Sequence, residues 1–214
     1  MEMAFVPMAL HGPARVGSGL RYLSWWSIAR LDVISPIFTI GHSTRSLEDF
    51  LQLLQSYKIE ALADVRQFPG SRRHPQFGQE NLSRSLSHVE VAYVHFPELG
   101  GRRRARADSP NTAWRNEAFR GYADYMMTSD FQTGIARLME LAQKQRTAIM
   151  CAEALWWRCH RALISDFLKV KSIQVVHILS GTKTEEHPFT SAARVINGQL
   201  SYRGLELPGV DSAQ

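Results

Sequence analysis

The chain of 214 residues has only two cysteines, Cys151 and Cys159. So sparse a set excludes the disulfide framework of a small secreted protein and points to a reducing, cytoplasmic setting. No apolar run reaches the roughly 18 residues of a membrane-spanning helix. The apolar stretch Met3 to Leu10 is short, is interrupted by Pro7 and lacks a basic start, so no secretory signal is expected. There is no internal repeat and no low-complexity tract. Lysine is missing from the whole segment between Arg66 and Arg120, where ten arginines face five acidic residues. That segment carries the equivalent of the chain's entire net charge of +5. An all-arginine basic segment suits bidentate contact with phosphate or carboxylate, and a polyanionic partner is the functional expectation. What is present, 44% hydrophobic and 21% charged residues, is the composition of an ordinary globular domain.

Residues 1 to about 35 have Gly and Pro at 12, 13, 17 and 19 and no sustained period, and are expected to be a poorly ordered extension. Within them, Leu20 to Ile28 could form a short helix. The domain is expected over 36–205, with a flexible tail at 206–214. Ile37 to Ser43 reads as its first strand. Ser46 then opens a capping-box-like start to a helix bearing Leu47, Phe50, Leu51 and Leu54. Further strands are expected at Ala61 to Arg66, Val91 to Pro97, Thr147 to Cys151 and Gln174 to Leu179, with a weak one near Gln199 to Tyr202. Helices are expected at Asn81 to His88, Asn116 to Met127, from Asp130, and after Cys151. Strands alternating with helices give a single α/β domain with a mainly parallel sheet of about five strands. The loop from Leu99 to Arg115, about 17 residues, is long for an idle connection.

In a parallel sheet all strand C-terminal ends lie on one edge, where ligands bind. That edge would collect His42, Ser43, Asp64, Arg66, His95, Cys151 and Glu153. At 100° per residue, the stripe of Leu163, Ile164, Phe167 and Leu168 places His160 within roughly 10° of the helix's core face. Cys159 and Arg161 fall roughly 90° to 110° to either side. Three chemistries fit these residue types. Cys151 near a helix N-terminus with Arg158 and Arg161 is a candidate thiolate. Cys151, Cys159 and His160, joined by His42 or His95, are candidate zinc donors, although no ordinary CxxC spacing is present and no metal ligand set is assigned. Glu153 and Asp64 are candidate acid/base groups. Six residues separate Cys151 from Arg158, two of them tryptophan, which argues against a cysteine-phosphatase loop.

The segments TIGHSTRSLEDF, ADVRQFPGSRRHPQF, LGGRRR, FRGYADYM and MCAEALWWRCHR together resemble the domain of unknown function 488 family (DUF488), from about Ile37 to Ile178. The resemblance implies a compact α/β domain of bacterial-type cytoplasmic proteins. It places His42, Ser43, Asp64, Arg66, Pro69, Ser71, Arg72, Phe77, Gly100, Gly101, Cys151, Glu153, Cys159, His160 and Arg161 at motif positions. It implies no particular activity.

The leading expectation is an enzyme acting on a phosphate-bearing substrate, nucleic acid or nucleotide. Cys151, Glu153, His160, Asp64 and His42 form its reactive group. Ser43, Arg66, Ser71, Arg72, Arg102, Arg103 and Arg161 hold the anion. No cofactor is identifiable. The rivals are a non-catalytic nucleic-acid-binding module that stacks bases on Trp114, Trp156 and Trp157, and a domain stapled by zinc.

Overall fold

The computed structural model describes residues 35–70 and 73–204. Five strands run parallel: β1 (Ile37–Gly41), β2 (Ala61–Asp64), β3 (Ala92–His95), β4 (Thr147–Cys151) and β5 (Val175–Ile178). A sixth, β6 (Thr184–Glu186), pairs antiparallel with β5, completing a sheet ordered β3-β2-β4-β1-β5-β6. A separate hairpin joins β7 (Arg194–Ile196) to β8 (Gln199–Ser201). Its two turn residues, Asn197 and Gly198, both take positive φ, 51° and 72°, as a type I′ hairpin requires.

The helices start where side chains can take up free backbone N–H groups. Ser46 caps α1 (Leu47–Ser56), its Oγ accepting from Asp49 N at 3.0 Å. Asn116 caps α3 (Glu117–Tyr125), and Thr128 caps α4 (Ser129–Lys144). The remaining helices are α2 (Gln79–Ser87) and α5 (Arg161–Val170).

Alternation along the strands divides the interior into two cores. Phe38, Ile40, Leu62, Ala148 and Met150 face α1 and α2, packing on Phe50, Leu54, Phe77, Leu82 and Leu86. Ile37, Ala63, Ile149, Cys151 and Val175 face the opposite way, onto α3, α4 and α5. β1 and β2 therefore send their chains to one face, while β3 and β4 send theirs to the other. β4 lies between β2 and β1, so the outgoing chains diverge on both sides of its C-terminal end. Such a divergence opens the crevice in which open α/β sheets bind ligands.

The sequence assigns one apolar stripe to α5, yet the helix is buried almost all round, Arg161 and Asp166 included. The segment after β6 covers its polar side. Asp166 accepts from Thr190 Oγ1 at 2.6 Å and from Tyr202 Oη at 2.8 Å. His187 Nε2 lies 3.1 Å from Asp166 Oδ1, His177 Nε2 2.9 Å from His187 Nδ1, and Thr39 Oγ1 2.7 Å from His177 Nδ1. Thr39 accepts in turn from Arg161 Nη1 at 3.3 Å. With Asp166 ionised and both imidazoles neutral, every proton in this chain points the same way. Arg161 donates to Thr39, Thr39 to His177, His177 to His187, and His187 to Asp166. Buried polar groups linked in this manner polarise one another, and removing a charged member leaves the others unsatisfied.

Replacing Asp166 by Ala is therefore expected to cost about 3–5 kcal/mol of stability in urea denaturation. Tyr202→Phe, which removes one donor, should cost about 1 kcal/mol. Equal and small losses for both would contradict the linked chain.

Candidate functional site

Two backbone ladders hold the end of β4 in place. His42 N donates to Cys151 O at 3.1 Å and Ser43 N to Ala152 O at 2.8 Å, while Val65 N donates to Met150 O at 3.0 Å on the other side. At Gly41 a side chain would run into the Glu153 carbonyl, so only glycine lets β1 and the loop after β4 lie this close. Arg161, 1% exposed, reaches under the same loop and donates from Nη2 to the carbonyl of Glu153 at 2.5 Å.

The expected groups do not gather in one cleft; the pleat separates them into two. Asp64 is in register with Met150, so its side chain projects toward α1 and α2, whereas Cys151, one residue on, projects toward α5.

The first group is a closed polar knot. Arg66 clamps Asp64 through Nε (2.9 and 3.1 Å) and Nη2 (2.5 Å), and Tyr93 Oη donates to the same carboxylate at 2.7 Å. Burial, and then the Asp64 charge, push the Tyr93 phenol up, which keeps it a donor. His42 stacks on Phe77 with ring centroids 4.2 Å apart, and its Nδ1 lies 3.0 Å from Ser43 O. A proton on Nδ1 satisfies that carbonyl and leaves Nε2 to accept from Arg66 Nη1 at 3.4 Å. Burial, with help from the Arg66 charge, lowers His42 from the usual 6.5 to about 4.

The second group is a dithiol with an imidazole. One donor atom from each of Cys151, Cys159 and His160 lies within 4.8 Å of the others, and both thiols are free. Cys159 Sγ is 3.6 Å from His160 Nδ1. His160 Nε2 sits 3.1 Å from the Val65 carbonyl, which holds the proton on Nε2 and leaves Nδ1 bare toward the sulfur. The hydrogen bond with Cys159 and burial push the Cys151 thiol well up. Gly101 packs on the imidazole so closely that a Cβ there would stand 2.9 Å from Nδ1. The loop after β3 thus lies against the dithiol.

Cys159 belongs to this centre, although angular placement sets it off the core face. It precedes the helix in extended backbone (φ −128°, ψ 149°), where 100° per residue does not apply, and His160 is the N-cap. The signal in the sequence is the pair of cysteines bracketing a single loop. Glu153 takes part through its backbone, while the residue itself is exposed. His42 and His95 do not join the dithiol: His95 Nε2 lies 2.9 Å from Arg66 O, and His42 faces Arg66. Arg66 and Arg161 are committed inside the protein. Arg103 lies over the Tyr125 ring at 3.6 Å and donates to Gly100 O, whereas Arg102 and Arg104 are exposed. Ser43 is half-buried with φ 48°. Ser71 and Arg72 lie outside the described residues, as do the expected extension, its short helix and the tail beyond 204. Of the tryptophans proposed for stacking, Trp156 is buried against His177 (4.5 Å, 9° between rings) and Trp114 packs on Phe119 and Tyr202. Trp157 is 46% exposed and Phe68 68%, the latter 6.0 Å from the Arg102 guanidinium.

Burial lowers His177 as well, to about 2. In the unfolded chain both imidazoles titrate near the usual 6.5. As pH falls from about 6.5 toward about 4 the unfolded state therefore binds more protons, and stability should drop through that window. Urea melts across this range should show the decline, with a shallower slope in His42→Asn; a flat profile for the unaltered protein would contradict the burial of neutral imidazoles.

Among the described residues no helix is long and apolar enough to cross a membrane. No curated protein and no solved structure matches the chain. A family model, described as domain of unknown function DUF488, matches residues 46–168. That match takes in α1, the Asp64–Arg66 knot, the arginine loop, both cysteines and most of α5, more than half of the chain, and the protein belongs to the DUF488 family.

Proposed function

We propose that this domain is an enzyme acting on a phosphate-bearing substrate, a nucleotide or nucleic acid, with Cys151, Cys159 and His160 as its reactive centre, working in a reducing, cytoplasmic setting. The observation that carries this reading is Cys159 Sγ at 3.6 Å from a His160 Nδ1 left bare by the Val65 carbonyl. A thiol facing an imidazole acceptor has a proton path to a general base, the arrangement that activates a functional cysteine. The anion-holding role passes from Arg66 and Arg161, which are engaged internally, to the exposed Arg102 and Arg104. Gly101 brings that loop onto His160, so phosphate held there lies beside the reactive centre. Asp64, Arg66 and His42 then serve by fixing the loop after β2, whose Val65 carbonyl orients His160.

A second reading has a specific observation in its favour. Phe68 and Trp157 are exposed aromatics, and Arg102 lies over Phe68, an arrangement suited to stacking single-stranded bases without turnover.

One experiment separates the two. A panel of nucleotides, phosphate esters and single-stranded oligonucleotides is offered to the reduced protein and to Cys159→Ser. The enzyme reading expects turnover of at least one class, a loss of at least about 100-fold in Cys159→Ser, and unchanged circular dichroism. Salt-sensitive oligonucleotide binding that Phe68→Ala with Arg102→Ala abolishes, with no turnover anywhere in the panel, would overturn it in favour of the binding module.

A further inference from the structure

We infer that Cys151, Cys159 and His160 form a binding site for one zinc-type divalent cation, with a coordination position left open for water or substrate. The inference rests on the reading that this centre is the working group of the domain, and it names the cofactor class.

The donor set is the first argument. Two sulfurs and one imidazole nitrogen within 4.8 Å of one another match the soft and borderline ligands that zinc and its neighbours prefer over magnesium or calcium. The second argument is the orientation of the imidazole. Metal-bound histidines commonly donate their other N–H to a backbone carbonyl or carboxylate, which fixes the ring and frees the ligating nitrogen. His160 meets that condition: Nε2 is on Val65 O at 3.1 Å and Nδ1 faces Cys159 Sγ. The third is preorganisation. Cys151 closes β4, Cys159 leads into α5, and the loop between them is held from below by Arg161 on the Glu153 carbonyl. Cys151 is therefore placed by β4, and Cys159 by its carbonyl, which accepts from Ala162 N in the first turn of α5 at 2.9 Å.

The protein supplies three donors. Among the described residues no fourth histidine, cysteine or carboxylate joins the group: His42, His95 and Asp64 are held in the Arg66 knot. A set of three ligands with an open position is the arrangement of catalytic rather than structural zinc. On binding, each thiol releases its proton to solvent as its sulfur–metal bond forms, so affinity must fall as pH is lowered.

The test uses the full chain, reduced and stripped with a chelator, titrated with Co²⁺. The expected result is saturation at one equivalent, with a thiolate-to-cobalt charge-transfer band, visible d–d bands of tetrahedral intensity, and displacement by Zn²⁺. Cys151→Ser, Cys159→Ser and His160→Gln should each weaken binding by at least 10-fold. Should a variant fail to fold, the unaltered protein still decides the question, because Zn²⁺ but not Mg²⁺ should raise its melting temperature. Absence of the charge-transfer band and of any zinc-dependent rise would overturn the inference, as would a band that survives loss of both cysteines. Thiol-dependent turnover without metal uptake would overturn it while leaving the enzyme reading intact. Stoichiometric uptake without turnover of any substrate would support the metal site and sink the enzyme reading.

Discussion

Arg161 is a buried guanidinium with no salt bridge among the described residues, and the site depends on how that charge is accommodated. Taking an ion out of water costs several kcal/mol unless other groups replace its hydration. Here Nη2 holds the Glu153 carbonyl and Nη1 begins the hydrogen-bonded chain that ends at the buried carboxylate of Asp166. Cation and anion are thus joined through Thr39, His177 and His187 instead of touching. The consequence is positional: the same cation that requires the chain also fixes the loop carrying Cys151 to Cys159, and it ties β1, β5, α5 and the C-terminal segment into one polar unit.

The pleat of the sheet supplies the second constraint. Strand ends that share an edge need not share a face. Asp64 and Cys151 both close their strands, but a register of Asp64 with Met150 sends them to opposite sides. The Asp64–Arg66–Tyr93–His42 knot and the dithiol meet through backbone groups: the Val65 carbonyl accepts from His160, and His42 N donates to the Cys151 carbonyl. The first group shapes the wall of the second.

Much of this was legible from the residues. Periodicity located the five parallel strands, and the capping-box pattern at Ser46 marked the start of α1. Their order implied the parallel sheet whose C-terminal edge carries His42, Asp64 and Cys151. The inward direction of His160 followed from the stripe on α5. Other features depended on tertiary contacts. Asp166 sits on the side of α5 that periodicity gives to solvent, and only the covering segment with His187, Thr190 and Tyr202 buries it. Arg66 reads as an anion ligand until the structure shows Asp64 two residues earlier already filling its fork. Cys159 falls off the core face only when helical angles are extended two residues ahead of Arg161, where the backbone is already extended. The β7–β8 hairpin is the opposite case: Asn197-Gly198 between Val195-Ile196 and Leu200 is a strong local signal for it.

The central claim is that hydrogen bonding to fixed carbonyls sets the imidazoles so that Nδ1 of His160 is bare toward the thiols. Long-range proton–nitrogen correlation spectra of the histidine side chains, recorded on the reduced protein at mildly alkaline pH, read each tautomer directly. The account predicts the Nε2–H form for His95, His160, His177 and His187, and the Nδ1–H form for His42. A proton found on Nδ1 of His160 would contradict it.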